Sequence, residues 1–278
     1  MDPVAILKGA LPPIAAALLL VSLWGGRALP LAMGIGIYVA FGLLKDWIEL
    51  PHELWADPNG TSWLVWGMVA LGLVALLEHL RLLPRRLAPS VGFAAAAVVL
   101  WLMLDKLAQR WDGGEVALHV GVGGLVVALT TLAARGTLAR APKALPVAAL
   151  WTLLLSLDAG LVTLGKSALL GQLCGAVAAA VGAAIGTSLW RRGFALQAAD
   201  GVWLGGAHAL FMLAGVQLGY LGWWPAICAL AAPLPLWLLR GVAAERPWRW
   251  LLVSAPAPLA LMGLAMWLAA PEPNPYGY

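Results

Sequence analysis

The sequence predicts an all-α, polytopic membrane protein of about ten transmembrane helices, and three observations carry that prediction. Of 278 residues, 62% are hydrophobic and 11% charged, far from the roughly half apolar and quarter charged of soluble domains. The apolar stretches are continuous over about 20 positions, as a helix needs to cross a hydrocarbon core, and lack the apolar-polar alternation of barrel strands. Gly (32), Pro (19) and Trp (16) are abundant, as expected where Gly and Pro enter membrane helices and Trp marks the interfaces.

Apolar runs bounded by charge, Pro and Gly place the spans in order. The first is Val4–Gly25, with Lys8 near its start and no small-x-small cleavage site, so it is expected to be retained. The second is Ala28–Leu44, closed by Lys45 and Asp46. The third, Ser62–Leu83, runs into Glu78, His79 and Arg81, a helix end meeting water. Next come Pro89–Leu104 and Val116–Ala134, bounded by Asp105 and Arg135. Ala144–Leu164 and Ala168–Trp190 follow, separated by Gly165, Lys166 and Ser167. Gly201–Leu221 and Trp223–Leu239 are joined by Gly222 alone, and Trp248–Ala270 is the last. Pro12-Pro13, Pro233 with Pro235, and Pro256 with Pro258 remove backbone donors and are expected to kink their helices. Freed carbonyls of that kind need protein or a cavity to satisfy them.

Basic residues set the orientation, because Lys and Arg flanking spans are retained in the cytoplasm. The connections after the odd-numbered spans hold 12 basic residues, among them Arg27, Arg81, Arg85, Arg135, Arg191 and Arg240, against 5 on the other side. Both termini are therefore expected outside, with a bacterial inner membrane as the setting. The formal charge of +4 is spread between helices, which suits topology rather than nucleic acid. The lipid bilayer is the expected partner, with other membrane subunits or a homo-oligomer beside it.

The chain is expected to be one membrane domain, 1–278, with repeat halves 1–138 and 139–278. "ALPPIAAALLLVSLWGG" from Ala10 and "ALPVAALWTLLLSLDAG" from Ala144 agree at 9 of 17 positions. Five spans repeated once would be inverted in the membrane, an architecture frequent among secondary transporters. Ala- and Leu-rich helices also match one another without common ancestry. The small residues of "GAVAAAVGAAIG", Gly175 to Gly186, are a packing signal first, with a substrate channel as the second reading.

Few polar residues lie inside the spans, and each needs a reason, since an ionised group there costs at least about 2.5–3.5 kcal/mol. Asp158 and His208 are the deepest, and together they suit a proton relay. Lys166 lies eight residues beyond Asp158, about 12 Å along a regular helix; a break near Gly160 or Gly165 would fold it back toward the carboxylate. Gln172 and Ser167 are supporting donors. The competing reading has Lys166 reaching the headgroups and Asp158 bonding to a neighbouring helix. His79 and His119 are expected at the interfaces. Outside, "KDWIELPHELWADPNGTS" interleaves Asp46, Glu49, His52, Glu53 and Asp57 with Trp and aliphatic residues, the pattern of a segment lying in the interface plane. Asn59-Gly60-Thr61 matches an N-glycosylation acceptor.

No HExxH, GxSxG, CxxC or phosphate-loop pattern occurs, and Cys174 and Cys228 lie in apolar runs as small hydrophobes. No metal, cofactor or catalytic residue is expected. The leading expectation is a permease-like protein moving a small solute or lipid-linked molecule, proton-coupled through Asp158 and His208. The alternatives are a non-transporting subunit or scaffold of a membrane assembly, and an interfacial enzyme using the outer acidic loop.

Overall fold

The computed structural model describes residues 3–45, 59–108, 111–140, 145–190 and 196–270, and every regular element among them is helical. The helices are α1 (Pro3–Trp24), α2 (Leu29–Leu44), α3 (Gly60–His79), α4 (Ala88–Ala108), α5 (Gly113–Arg140), α6 (Leu145–Leu164), α7 (Ala168–Trp190), α8 (Asp200–Gln217), α9 (Trp223–Ala231), α10 (Pro233–Leu238), α11 (Arg240–Glu245), α12 (Pro247–Ser254) and α13 (Pro256–Ala269). A short 3₁₀ turn, Gly26–Ala28, joins α1 to α2.

Seven helical segments among the described residues are long and apolar enough to cross a membrane: Pro3–Trp24, Gly26–Leu44, Gly60–His79, Gly113–Arg140, Leu145–Leu164, Ala168–Thr187 and Pro247–Ala269. Ala88–Leu104 and Trp223–Leu238 are shorter apolar helices. The chain is thus a helical, multi-pass integral membrane protein.

Local chemistry explains the helix limits. Asn59 caps α3, its side chain accepting from Thr61 N (3.1 Å) and Ser62 N (3.4 Å), the usual role of Asn before a helix. The triplet that reads as a glycosylation acceptor is therefore a helix start. Pro233, Pro247 and Pro256 each open a helix, where a missing N–H is harmless, whereas α1 continues through Pro12 and Pro13 as one helix.

Helices α3 and α6 end alike. Arg81 (φ 60°) and Lys166 (φ 72°) adopt the left-handed conformation. Leu82 N donates to Leu77 O while Arg81 N donates to Glu78 O, and Ser167 N donates to Val162 O while Lys166 N donates to Thr163 O. This is the Schellman closure, which usually places Gly at the left-handed position. Gly219 (φ 77°) fills that position after α8, as the rule expects.

The centre of the molecule is α8, buried without interruption from Asp200 to Gly215. It packs on α3, α4, α5, α6 and α9, while α1, α2, α6 and α7 form a second packed group beside it. Gly201 and Gly205 let α5 come close: a Cβ on Gly201 would overlap the backbone of Arg135, and one on Gly205 the backbone of Thr130. Thr130 Oγ1 completes that contact by donating to Gly205 O at 3.0 Å, the small-residue and hydroxyl packing typical of membrane helices.

Candidate functional site

Asp158 on α6 and His208 on α8 meet in the core. Asp158 Oδ2 lies 2.6 Å from His208 Nδ1, and His208 Nε2 lies 3.1 Å from the carbonyl of Ala229 on α9. Both side chains are 0% exposed. The sequence reason for the second contact is Pro233. In a continuous helix, the amide of residue 233 would donate to Ala229 O; proline has none. Ala232 N takes up part of that carbonyl at 3.0 Å in a tighter turn, and His208 supplies the second donor.

This geometry restricts the protons. A carbonyl only accepts, so Nε2 carries a hydrogen, and one further proton lies between Nδ1 and Oδ2. Whichever atom holds it, the pair is neutral as a unit, which is how a carboxylate and an imidazole coexist in a medium that penalises net charge. Asp158 Oδ1 has no partner and is free to accept another bond. The arrangement can hold a proton, and it can release or gain one only when the helices around it separate.

The other expected site residues do not join the pair. Lys166 is exposed and serves as the left-handed cap of α6; the chain does break after Leu164, but the turn carries the side chain outward rather than back to Asp158. Ser167 is buried and caps the next helix, its Oγ accepting from Leu170 N at 3.4 Å. Gln172 is half-buried and lines a 520 Å³ cavity with Ala159, Gly160 and Thr163, whose wall does not include Asp158. Asp46, Glu49, His52, Glu53 and Asp57 lie outside the described residues. His119 stacks on Trp111 with ring centroids 4.4 Å apart.

A second polar layer, not anticipated from the sequence, lies about 12 Å along α8 from His208, at its first turn. His79 Nε2 donates to Asp200 Oδ1 at 3.0 Å, Trp203 Nε1 donates to the same oxygen at 3.3 Å, and Gln197 N donates to Oδ2 at 2.7 Å. Three donors meet on one carboxylate at the first turn of a helix, where the backbone dipole favours negative charge. Beside it, Arg135 of α5 grips Glu78 of α3 with two bonds, Nη1 to Oε2 at 2.5 Å and Nη2 to Oε1 at 3.0 Å. His79 and Glu78, expected at an exposed helix end, are both buried. The sequence signal for this layer was present in Asp200, an acid standing directly before an apolar, Gly-rich helix.

The layer borders a cavity of 680 Å³ lined by Arg27, Arg81 and Arg85, by Glu78 and His79, and by residues at the end of α5 and in the segment before α8. Four connections that are far apart in sequence converge there. No cluster of three or more metal-binding side chains occurs among the described residues.

Comparison with family models, with curated proteins and with solved structures finds no match. Fold and site together define a multi-pass helical membrane protein with two buried polar layers.

Proposed function

We propose that the chain is a permease-like protein moving a small solute, coupled to protons through Asp158 and His208. The observation that carries this reading is the bond from His208 to Ala229. It ties a proton-holding pair to a helix already interrupted at Pro233, so displacement of α9 and exchange of the proton become one event. Coupling of transport to a buried carboxylate or histidine is the usual reason for such residues within a bilayer. In this reading the chain crosses the bacterial inner membrane ten times with both termini outside. The meeting of Arg27, Arg81, Arg85 and the end of α5 at one cavity supports a common face for those ends. The repeat is not required: α5 packs along α8, whereas the positions a two-fold would relate to them, in α13 and α3, make no comparable contact.

The test is uptake into proteoliposomes containing a trapped pH dye and challenged with panels of cationic, anionic and neutral solutes. A solute-dependent pH change is expected, and Asp158→Asn is expected to abolish it. Transport with an unchanged pH signal in that variant removes the coupling role.

One observation favours the scaffold reading instead. The pair is completely enclosed and each member already has a partner on another helix, which suffices to specify helix packing. A purified chain that moves no solute, and is recovered from its native membrane only with other subunits, would select that reading. The interfacial-enzyme reading rests on Asp46, Glu49, His52 and Glu53 and gains no support from the described residues.

A further inference from the structure

The cavity beside His79 has an unbalanced inventory. Its lining includes three guanidinium groups, from Arg27, Arg81 and Arg85, and one acid, Glu78. Both oxygens of Glu78 are occupied by Arg135, so the acid does not neutralise the wall. None of the three arginine side chains has an acceptor among the described residues. Like charges brought toward one space repel, and an anion inside it offsets that repulsion.

A second, independent feature points the same way. The side chain of His79 is 1% exposed and lines the cavity, yet its Nδ1 has no hydrogen-bond partner. Nε2 is committed as a donor to Asp200, whose carboxylate already accepts from Trp203 and Gln197. With Nε2 committed, Nδ1 is the ring atom left to accept, and the acidic O–H of a phosphate monoester is a donor of the right kind for it. Arginines at the mouth and an imidazole at the floor form a set that matches the several oxygens of a phosphate group. At 680 Å³ the space falls within the roughly 300–1,000 Å³ of small-molecule pockets, with room for more than inorganic phosphate alone.

We propose that this cavity is a binding site for a phosphate-bearing ligand, held by Arg27, Arg81 and Arg85 with His79 as its innermost polar contact. The chemistry is common to a soluble phosphomonoester and to the headgroup of an anionic lipid. The site binds whether or not the chain transports, so it stands apart from the permease reading.

The experiment uses the full chain purified in neutral detergent. Calorimetric titration with inorganic phosphate and with phenyl phosphate tests the soluble source; native mass spectrometry after incubation with phosphatidic acid, against phosphatidylcholine, tests the lipid source. Saturable binding of at least one phosphate-bearing probe is expected, weakened tenfold or more by Arg81→Gly and by Arg27→Gln. Arg81→Gly is the decisive variant, because glycine suits the left-handed backbone of that position and the fold is retained. Arg86→Gln and Arg140→Gln, outside the cavity lining, are expected to leave binding unchanged. Retention of phosphatidic acid alone assigns the site to a lipid headgroup, and binding of phenyl phosphate assigns it to a soluble ester. Failure of every probe overturns the proposal, as does an equal loss in the Arg86→Gln and Arg140→Gln controls, which would reduce the effect to diffuse charge.

Discussion

Pro233 and His208 are linked through an atom that belongs to neither: the proline withholds the amide that Ala229 O would otherwise receive, and the histidine makes up the deficit at 3.1 Å. A helix break on α9 and a buried imidazole on α8 are therefore one feature. His208→Ala leaves the carbonyl with Ala232 N alone and strands the Asp158 carboxyl, and we expect a loss of about 3 kcal/mol, the scale of an unpaired Asp at a helix centre. In a cycle with Asp158→Ala, the coupling should exceed the roughly 0.6 kcal/mol of an average interhelical hydrogen bond in a membrane. Unfolding in mixed micelles measures all four variants. Additive single losses would show that the two residues stabilise the fold separately.

The glycines of α8 provide a contrast within one fold. Gly201→Ala and Gly205→Ala place a methyl on the α5 backbone, and each should destabilise by about 1–3 kcal/mol. Gly121→Ala and Gly263→Ala add a methyl where nothing lies within 4 Å and should instead stabilise by up to about 1 kcal/mol. Thermal unfolding of the four proteins is the check, and the opposite signs matter more than the sizes.

Lys166→Gly should raise stability by about 1 kcal/mol, since a side chain in the left-handed region costs about 1–2 kcal/mol that glycine avoids. If Lys166 instead served as the counter-charge of Asp158, the same change would lower stability.

The pair of Glu78 and Arg135 should respond unequally to truncation. Arg135→Ala leaves Glu78, 3% exposed, without a partner, whereas Glu78→Ala leaves an arginine 11% exposed with access to water. We expect the arginine deletion to be the more damaging, by at least about 1 kcal/mol in denaturant unfolding. Equal losses would mean that neither charge is effectively desolvated.

Composition and apolar run length made the helical membrane class legible, because a bilayer leaves the chain few other solutions. The burial cost of Asp158 and His208 marked them as residues needing partners and set them side by side as a relay, although they lie 50 residues apart; the carbonyl of Ala229 as the second partner of His208 was not legible, because it depends on how α9 packs against α8. For Lys166 the sequence left two directions open, back toward Asp158 or out toward the headgroups, because the turn that decides between them is made by backbone bonds from Lys166 N to Thr163 O and Ser167 N to Val162 O. Asp200 escaped notice and His79 was read as interfacial for a different reason: helix ends beside arginines look solvated in one dimension, and only the convergence of α3, α5 and α8 removes them from water. The acidic segment between α2 and α3 stood out in sequence, and it lies outside the described residues.

The enclosure of α8 also bears on how the protein is made. A helix with an acid at its first turn and a histidine midway is a poor candidate to partition from the translocon into lipid unaided. Its companions α3, α5 and α6 leave the ribosome before it, so α8 is received by a cradle already in place, and α9, made next, closes over the imidazole.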